Sequence, residues 1–378
     1  MVHAAGGVRA VTIPFYSERV SIAYNTEIVV PFHAPVNEKN LIDYYQQLAR
    51  RDYQTLLQAL QQKRQIYALN DWLFYELLRE TVDKILEGKE AVQRELTCWF
   101  LLSQLEYDTR LTFREQRVFL YVYTLDEVFE VPMIEDAGRT YVNLSSIRRP
   151  EEQQGPLFLL HFRPRPGGRA FSFYLQQLPA LQPRPALRSF EFAYGEYVYQ
   201  VEVEADETIV DIMRRYPFIA ERQYLEVPFS ASVATSLIPQ FRRMLRGKTQ
   251  REALAFLVAF TRSSFSYKDD KEFFGHSKPM IADEVFHYPF SDCEDRSALF
   301  YRLVRELLDL PMIIVAYEDH LTIAVALAGA DDEAGDAISF EGRRYIICDP
   351  TGPVNSTAIG RAPKGYEDAA FTIIGRYK

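Results

Sequence analysis

Tyr288-Pro289-Phe290-Ser291-Asp292-Cys293-Glu294-Asp295-Arg296-Ser297 is the stretch on which the reading of this chain turns. Ser291 and Glu294 stand at capping-box spacing, and Leu299, Leu303 and Leu307 continue a helical stripe until Pro311 stops it. Cys293 is therefore expected in the first turn of a long helix, where free backbone N–H groups and the positive dipole end favour a thiolate. Asp292, Glu294 and Asp295 act the other way and raise the thiol pKa. A reactive thiolate at neutral pH then needs a cationic histidine close by. A cysteine in apolar sequence is commonly a small buried hydrophobe, whereas this one has charged neighbours and opens a helix.

Downstream, Met312 to Tyr317 reads as a strand, Glu318-Asp319 as a turn, and His320 to Val325 as an alternating strand that starts with the histidine. A polar stretch with Gly329 and Gly335 leads to a third strand, Arg344 to Cys348, which ends at Asp349-Pro350-Thr351. If the last two strands pair antiparallel, the start of one lies beside the end of the other, and His320 neighbours Asp349. Singly, His320 is a polar strand end and Asp349 before proline a turn former. Together with a helix-start thiol they form the set that nucleophilic catalysis requires. Zinc on Cys293, His320 and Asp349 is the alternative, but the long separations carry no ligand-pair spacing, so neither metal nor cofactor is expected. Upstream, Thr249 and Glu252 form a capping box ahead of a core helix with Leu254, Leu257 and Val258. His276 and His287 lie in the loop before Cys293, as cleft-lining or solvated residues.

This ordered triple resembles the transglutaminase-like branch of the papain-like cysteine enzymes, whose pattern is Gly-x-Cys-x-x-x-Ala, a strand-borne histidine, then Asp-Pro-Thr. The match covers residues 236–378, with Ser291 in place of the glycine and no aromatic residue after the histidine. Leu69-Asn70-Asp71-Trp72 together with Asp292 to Ser297 also resembles large transglutaminase-like proteins of Bacteroidetes. The resemblance implies an α+β fold with a papain-like C-terminal core. It implies Cys293 as nucleophile on an amide carbonyl, His320 as base and Asp349 as orienting acid. An oxyanion hole would combine the Cys293 N–H with a side-chain donor, for which Tyr267 and Tyr288 are candidates beside their reading as structural tyrosines. A protein, peptide or cell-wall peptide would be the substrate, with the thioester passed to water or to an amine. A scaffold that keeps the triad residues and binds a peptide or glycan without turnover is the competing reading. Export to the periplasm or beyond, after removal of a leader, is likewise implied.

The rest of the 378-residue chain sets the frame. At about 100 to 200 residues per domain, two or three domains are expected. An N-terminal α+β module spans 1–150, a β-rich, sandwich-like domain 151–235, and the catalytic domain 236–378. The net charge of −9 argues against nucleic acid, which needs concentrated basic surface. Three scattered cysteines allow one disulfide at most, and no apolar run reaches the roughly 18 residues of a membrane helix. Met1 to Ala10 lacks an apolar signal core, so the chain is either cytoplasmic or begins after a removed leader. Between Arg139 and Phe190 eight arginines face two acids, a solvated β-face or a dock for an anionic polymer. Strand patterns occupy 8–37, Arg117 to Thr124, Val128 to Ile134, Thr140 to Leu144 and Ala170 to Leu175, with helices from Glu38 to Gly88 and Ala91 to Leu105. The order helix, helix, strands recurs, with Gly138-Arg139-Thr140-Tyr141 beside Gly342-Arg343-Arg344-Tyr345, which suggests a decayed transglutaminase-like repeat in the N-terminal third. No histidine lies between His33 and His161, so Cys98 reads as core.

Overall fold

A computed structural model describes residues 6–148, 156–328, 335–352 and 358–378. Gly329 and the first half of Met1–Ala10 lie outside the described residues. The fold is α+β, and the chain divides into two compact units: the first runs to Leu175 and adds Pro179–Gln182 and Pro217–Ile219, and the second holds Gln176–Leu178, Pro183–Tyr216 and Ala220–Lys378. No helix among the described residues is long and apolar enough to cross a membrane.

The first unit opens with an antiparallel hairpin of β1 (Val8–Phe15) and β2 (Glu18–Asn25). Helices α1 (Glu38–Ala49), α2 (Gln54–Ile66), α3 (Asp71–Ile85) and α4 (Ala91–Gln104) follow. Asn37 and Asn70 cap α1 and α3 by accepting the backbone N–H of Asn40 and Leu73, which satisfies donors that the first turn leaves free. α3 and α4 bury most of their circumference, with Trp72, Phe74, Trp99 and Phe100 in the interior. Strands β3 (Thr109–Arg114), β4 (Arg117–Tyr123), β5 (Met133–Asp136), β6 (Arg139–Asn143), then the short α5 (Leu144–Arg148) and β7 (Phe158–Leu159) complete it; the sheet order is β5-β6-β4-β3-β7. Cys98 is fully buried in α4, as a small apolar side chain is expected to be.

The second unit begins with a ten-residue hairpin, β8 (Pro185–Tyr194) and β9 (Tyr197–Asp206). Next come α6 (Glu207–Met213), α7 (Glu221–Glu226), α8 (Ala231–Met244), α9 (Gln250–Ser263), β10 (Ser266–Tyr267), α10 (Asp270–Phe273) and β11 (Phe290–Ser291). The buried helix α11 (Cys293–Leu307) packs on α7, α8 and α9 on one side and on a sheet strand on the other. That sheet contains β12 (Met312–Ala316), β13 (Leu321–Val325), β14 (Ala337–Phe340), β15 (Arg343–Cys348) and β16 (Thr372–Tyr377), in the order β14-β15-β13-β12-β16.

Several elements differ from their sequence reading. Among the described residues of 151–235 there is no sandwich: the β8–β9 hairpin has only its two strands, and Phe192, Val201, Val203 and Ala205 on its inner face enter the same core as α8 and α9. Alternation showed that one face is buried but not which element covers it. Helix α8 runs through the expected 235/236 boundary. Ala170 to Leu175 forms no strand, although Phe171, Phe173 and Leu175 are buried, and Val128 makes only an isolated bridge to Ile219.

Candidate active site

Cys293 is the first residue of α11, and the capping box sits one residue later than its spacing suggested. Asp292 accepts from the Asp295 N–H, while the Asp292 N–H donates to Asp295 Oδ2 at 3.1 Å. Ser291 is free of the cap and accepts instead from Arg296 Nε at 3.1 Å. Arg296 is fully buried and donates to the Phe265 carbonyl at 2.6 Å, so it ties the start of α11 to the end of α9. The parallel pairing of β10 with β11, Tyr267 opposite Ser291, sets Tyr267 beside the helix start.

β13 and β15 pair antiparallel, Ile323 opposite Cys348, so the residue before one strand lies near the residue after the other. His320 Nε2 bonds Asp349 Oδ1 at 3.2 Å. Asp349 also accepts from the N–H groups of Thr351 at 3.1 Å and Gly352 at 3.0 Å, the turn geometry of an Asp-Pro-Thr segment, and from Thr322 Oγ1 at 3.5 Å. Burial pushes the Asp349 carboxyl up, but the His320 bond and charge, with the Thr351 N–H, outweigh it and hold the pKa below its ordinary value. Arg262, which carried no signal in the sequence, donates through Nε to the Asp349 carbonyl at 2.9 Å and thereby fixes the turn. A Cβ at Gly352 would come 2.7 Å from Arg262 Nη2, so a larger residue there displaces the guanidinium. Tyr366, from a loop distant in sequence, stacks on the His320 ring with centroids 5.2 Å apart and planes at 24°.

Cys293 and His320 line one cavity of about 330 Å³. Tyr267 also lines it and is half exposed rather than a buried structural tyrosine. Tyr288 is not among the lining residues; its hydroxyl accepts from Arg214 Nε at 3.4 Å and its ring packs on Phe274. His276 is exposed and His287 meets Arg214, and neither lines the cavity.

The cavity is strongly acidic. Cys293 Sγ donates to Glu294 Oε2 at 2.9 Å. Burial, then the Glu294 and Asp292 charges, push the thiol pKa well up, against a lowering contribution from the Leu321 N–H; the resting group is a neutral thiol. Burial, and after it the Asp292 charge, push Asp270 up to about 7, while Asp292 is raised by burial and by Glu294. Asp270, Asp292 and Glu294 present oxygens within 4.8 Å of one another, a spacing that can hold a hard divalent cation. Asp292 Oδ1 is buried without a hydrogen-bond partner, and a cation would satisfy it. Comparison of the chain with family models, curated proteins and solved structures found no match.

Proposed function

We propose that the second unit carries a transglutaminase-like, papain-like cysteine centre for acyl transfer or hydrolysis on an amide of a protein, peptide or cell-wall peptide. One observation carries this reading: His320, bonded to Asp349, lines the same cavity as Cys293 at the start of α11. Asp349 occupies Nε2 of the ring and leaves Nδ1 to take the thiol proton. The sulfur then attacks the amide carbonyl carbon, and the oxyanion is received by the Cys293 N–H, with Tyr267 as side-chain candidate. Collapse expels the amine, which takes its proton from the imidazolium and leaves a thioester. Water or a second amine attacks the thioester, His320 removes the proton from that nucleophile, and the thiol is regenerated.

The neutral, acid-facing thiol favours a second reading, a binding scaffold without turnover. Iodoacetamide labelling followed by mass spectrometry, with hydrolysis of a carboxamide peptide library, separates the two. All three cysteines are buried, but only Cys293 lines this cavity, so the enzyme reading expects Cys293 to label faster than Cys98 and Cys348, and Cys293→Ala to lose both labelling at that site and turnover. Labelling of Cys293 no faster than the other two thiols, with no turnover, leaves the scaffold.

A further inference from the structure

The cavity lined by Cys293 and His320 holds more carboxyl groups than the triad uses. Asp270 and Asp292 are buried and Glu294 is half-buried, while Glu221, Asp269, Glu318 and Asp319 add acids that are half-buried or exposed. The bases around them are committed elsewhere. Lys278 pairs with Glu284 at 2.6 Å, Lys268 with Glu272 at 3.2 Å and His320 with Asp349 at 3.2 Å. Arg296 bonds Ser291 Oγ and the Phe265 carbonyl. Lys271 is the one lysine among the lining residues, and it is exposed. Where the lining acids accept hydrogen bonds, the donors are neutral: Asp270 takes the Lys278 N–H, Asp269 the Lys271 N–H and Asp319 the Tyr366 hydroxyl. Such bonds leave the charge of the cavity in place.

Asp292 marks where a cation belongs. It is 4% exposed, it lines the cavity, and its Oδ1 is buried without a hydrogen-bond partner. A buried acceptor of this kind points to a donor from outside the chain. One oxygen each from Asp270, Asp292 and Glu294 lies within 4.8 Å of the other two. An ammonium group has three N–H donors, which at about 2.8 Å each reach oxygens roughly 4.6 Å apart. Asp292 and Glu294 flank Cys293 in the chain, so a cation held by them lies beside the sulfur.

We propose that this cavity takes a peptide with a lysine-like side chain, an apolar stem ending in an ammonium group, next to the amide that meets Cys293. The proposal names the substrate class of the acyl-transfer reading and rests on it for the role of that amide, whereas the seat of the ammonium group stands without turnover. Asp270, Asp292 and Glu294 receive the three N–H donors. The stem packs along the rings of Tyr267 and Tyr317, which line the same cavity. A bare metal ion would use the three oxygens and neither ring. The exposed acids Asp269, Glu318 and Asp319 extend the same sign of potential to the solvent side and draw a cationic peptide in.

The test uses the full chain as Cys293→Ala, titrated calorimetrically in a buffer that contains a chelator. The probes are N-acetylated, C-amidated peptides that carry glutamine beside lysine, norleucine or glutamate. The lysine peptide should saturate, the norleucine peptide should bind about tenfold or more weakly, the ratio that loss of a charge-assisted hydrogen bond gives, and the glutamate peptide should not bind. Added salt should narrow the gap between lysine and norleucine. Asp292→Asn keeps a side chain that can cap α11 and should cut the lysine preference by about tenfold at an unchanged melting temperature. Glu294→Gln makes the same comparison should Asp292→Asn fail to fold. The proposal falls if the lysine and norleucine peptides bind alike, if the preference survives the folded variant, or if no peptide saturates at millimolar concentration, calcium then being the occupant where it alone binds. Hydrolysis by the wild type is scored apart. Lysine preference without turnover removes the enzyme reading and keeps this seat, whereas equal turnover of the lysine and norleucine peptides removes the seat and keeps the enzyme.

Discussion

The thiol of Cys293 is governed by its neighbour in sequence. Glu294 accepts from Sγ and adds its charge to the burial that raises the pKa. Glu294→Gln should therefore lower the thiol pKa and raise the rate of iodoacetamide labelling near neutral pH, by about tenfold for every pH unit that the midpoint moves down. The check is a pH–rate profile, whose midpoint should lie at lower pH in the variant. A cation held by Asp270, Asp292 and Glu294 should act in the same direction, because it offsets the charges that oppose a thiolate. Millimolar calcium should accelerate labelling and raise the melting temperature, a chelator should reverse both, and Asp270→Asn should abolish the response. Equal response of the variant would place the cation elsewhere.

Among the elements, the turn after β15 is positioned from outside itself. Arg262, at the end of α9, holds the Asp349 carbonyl and lies against Gly352. Gly352→Ala should push the guanidinium off that carbonyl and destabilise the fold by about 1–3 kcal/mol, as overpacking commonly does. The same change should lower the labelling rate of Cys293 through a misplaced His320, and differential scanning calorimetry with labelling reads both effects. α11 depends in like manner on Arg296, whose buried guanidinium reaches Ser291 and Phe265. Neither arginine was legible in the chain, since a basic residue inside a helical stripe reads as a solvated position. The cap of α11 was legible only to within one residue: Ser291/Glu294 and Asp292/Asp295 have the same spacing, and the structure uses the second.

In the molecule as a whole, buried acids give stability an unusual pH profile. Asp283 is buried within the second unit, where it accepts the Ser230 N–H at 3.0 Å. Burial raises it from 3.8 to about 7; the Ser230 bonds and Arg302 lower it, and Asp206 raises it further. The folded chain thus keeps a proton that the unfolded chain releases, so this contribution is full below about pH 4 and is lost as pH rises through about 7. Asp283→Asn should flatten the fall in melting temperature between about pH 4 and pH 7, read by calorimetry at matched ionic strength. Periodicity and caps already carried the helices, the strands around Cys293, His320 and Asp349, and the hint of recurrence in Gly138 to Tyr141 and Gly342 to Tyr345, because those signals live within a few residues of one another. The merging of the β8–β9 hairpin into the second core, the acids gathered about one sulfur and the like strand order of the two sheets came only from the folded chain. Each depends on which distant segments meet, and long-range pairing and burial leave little mark on local pattern.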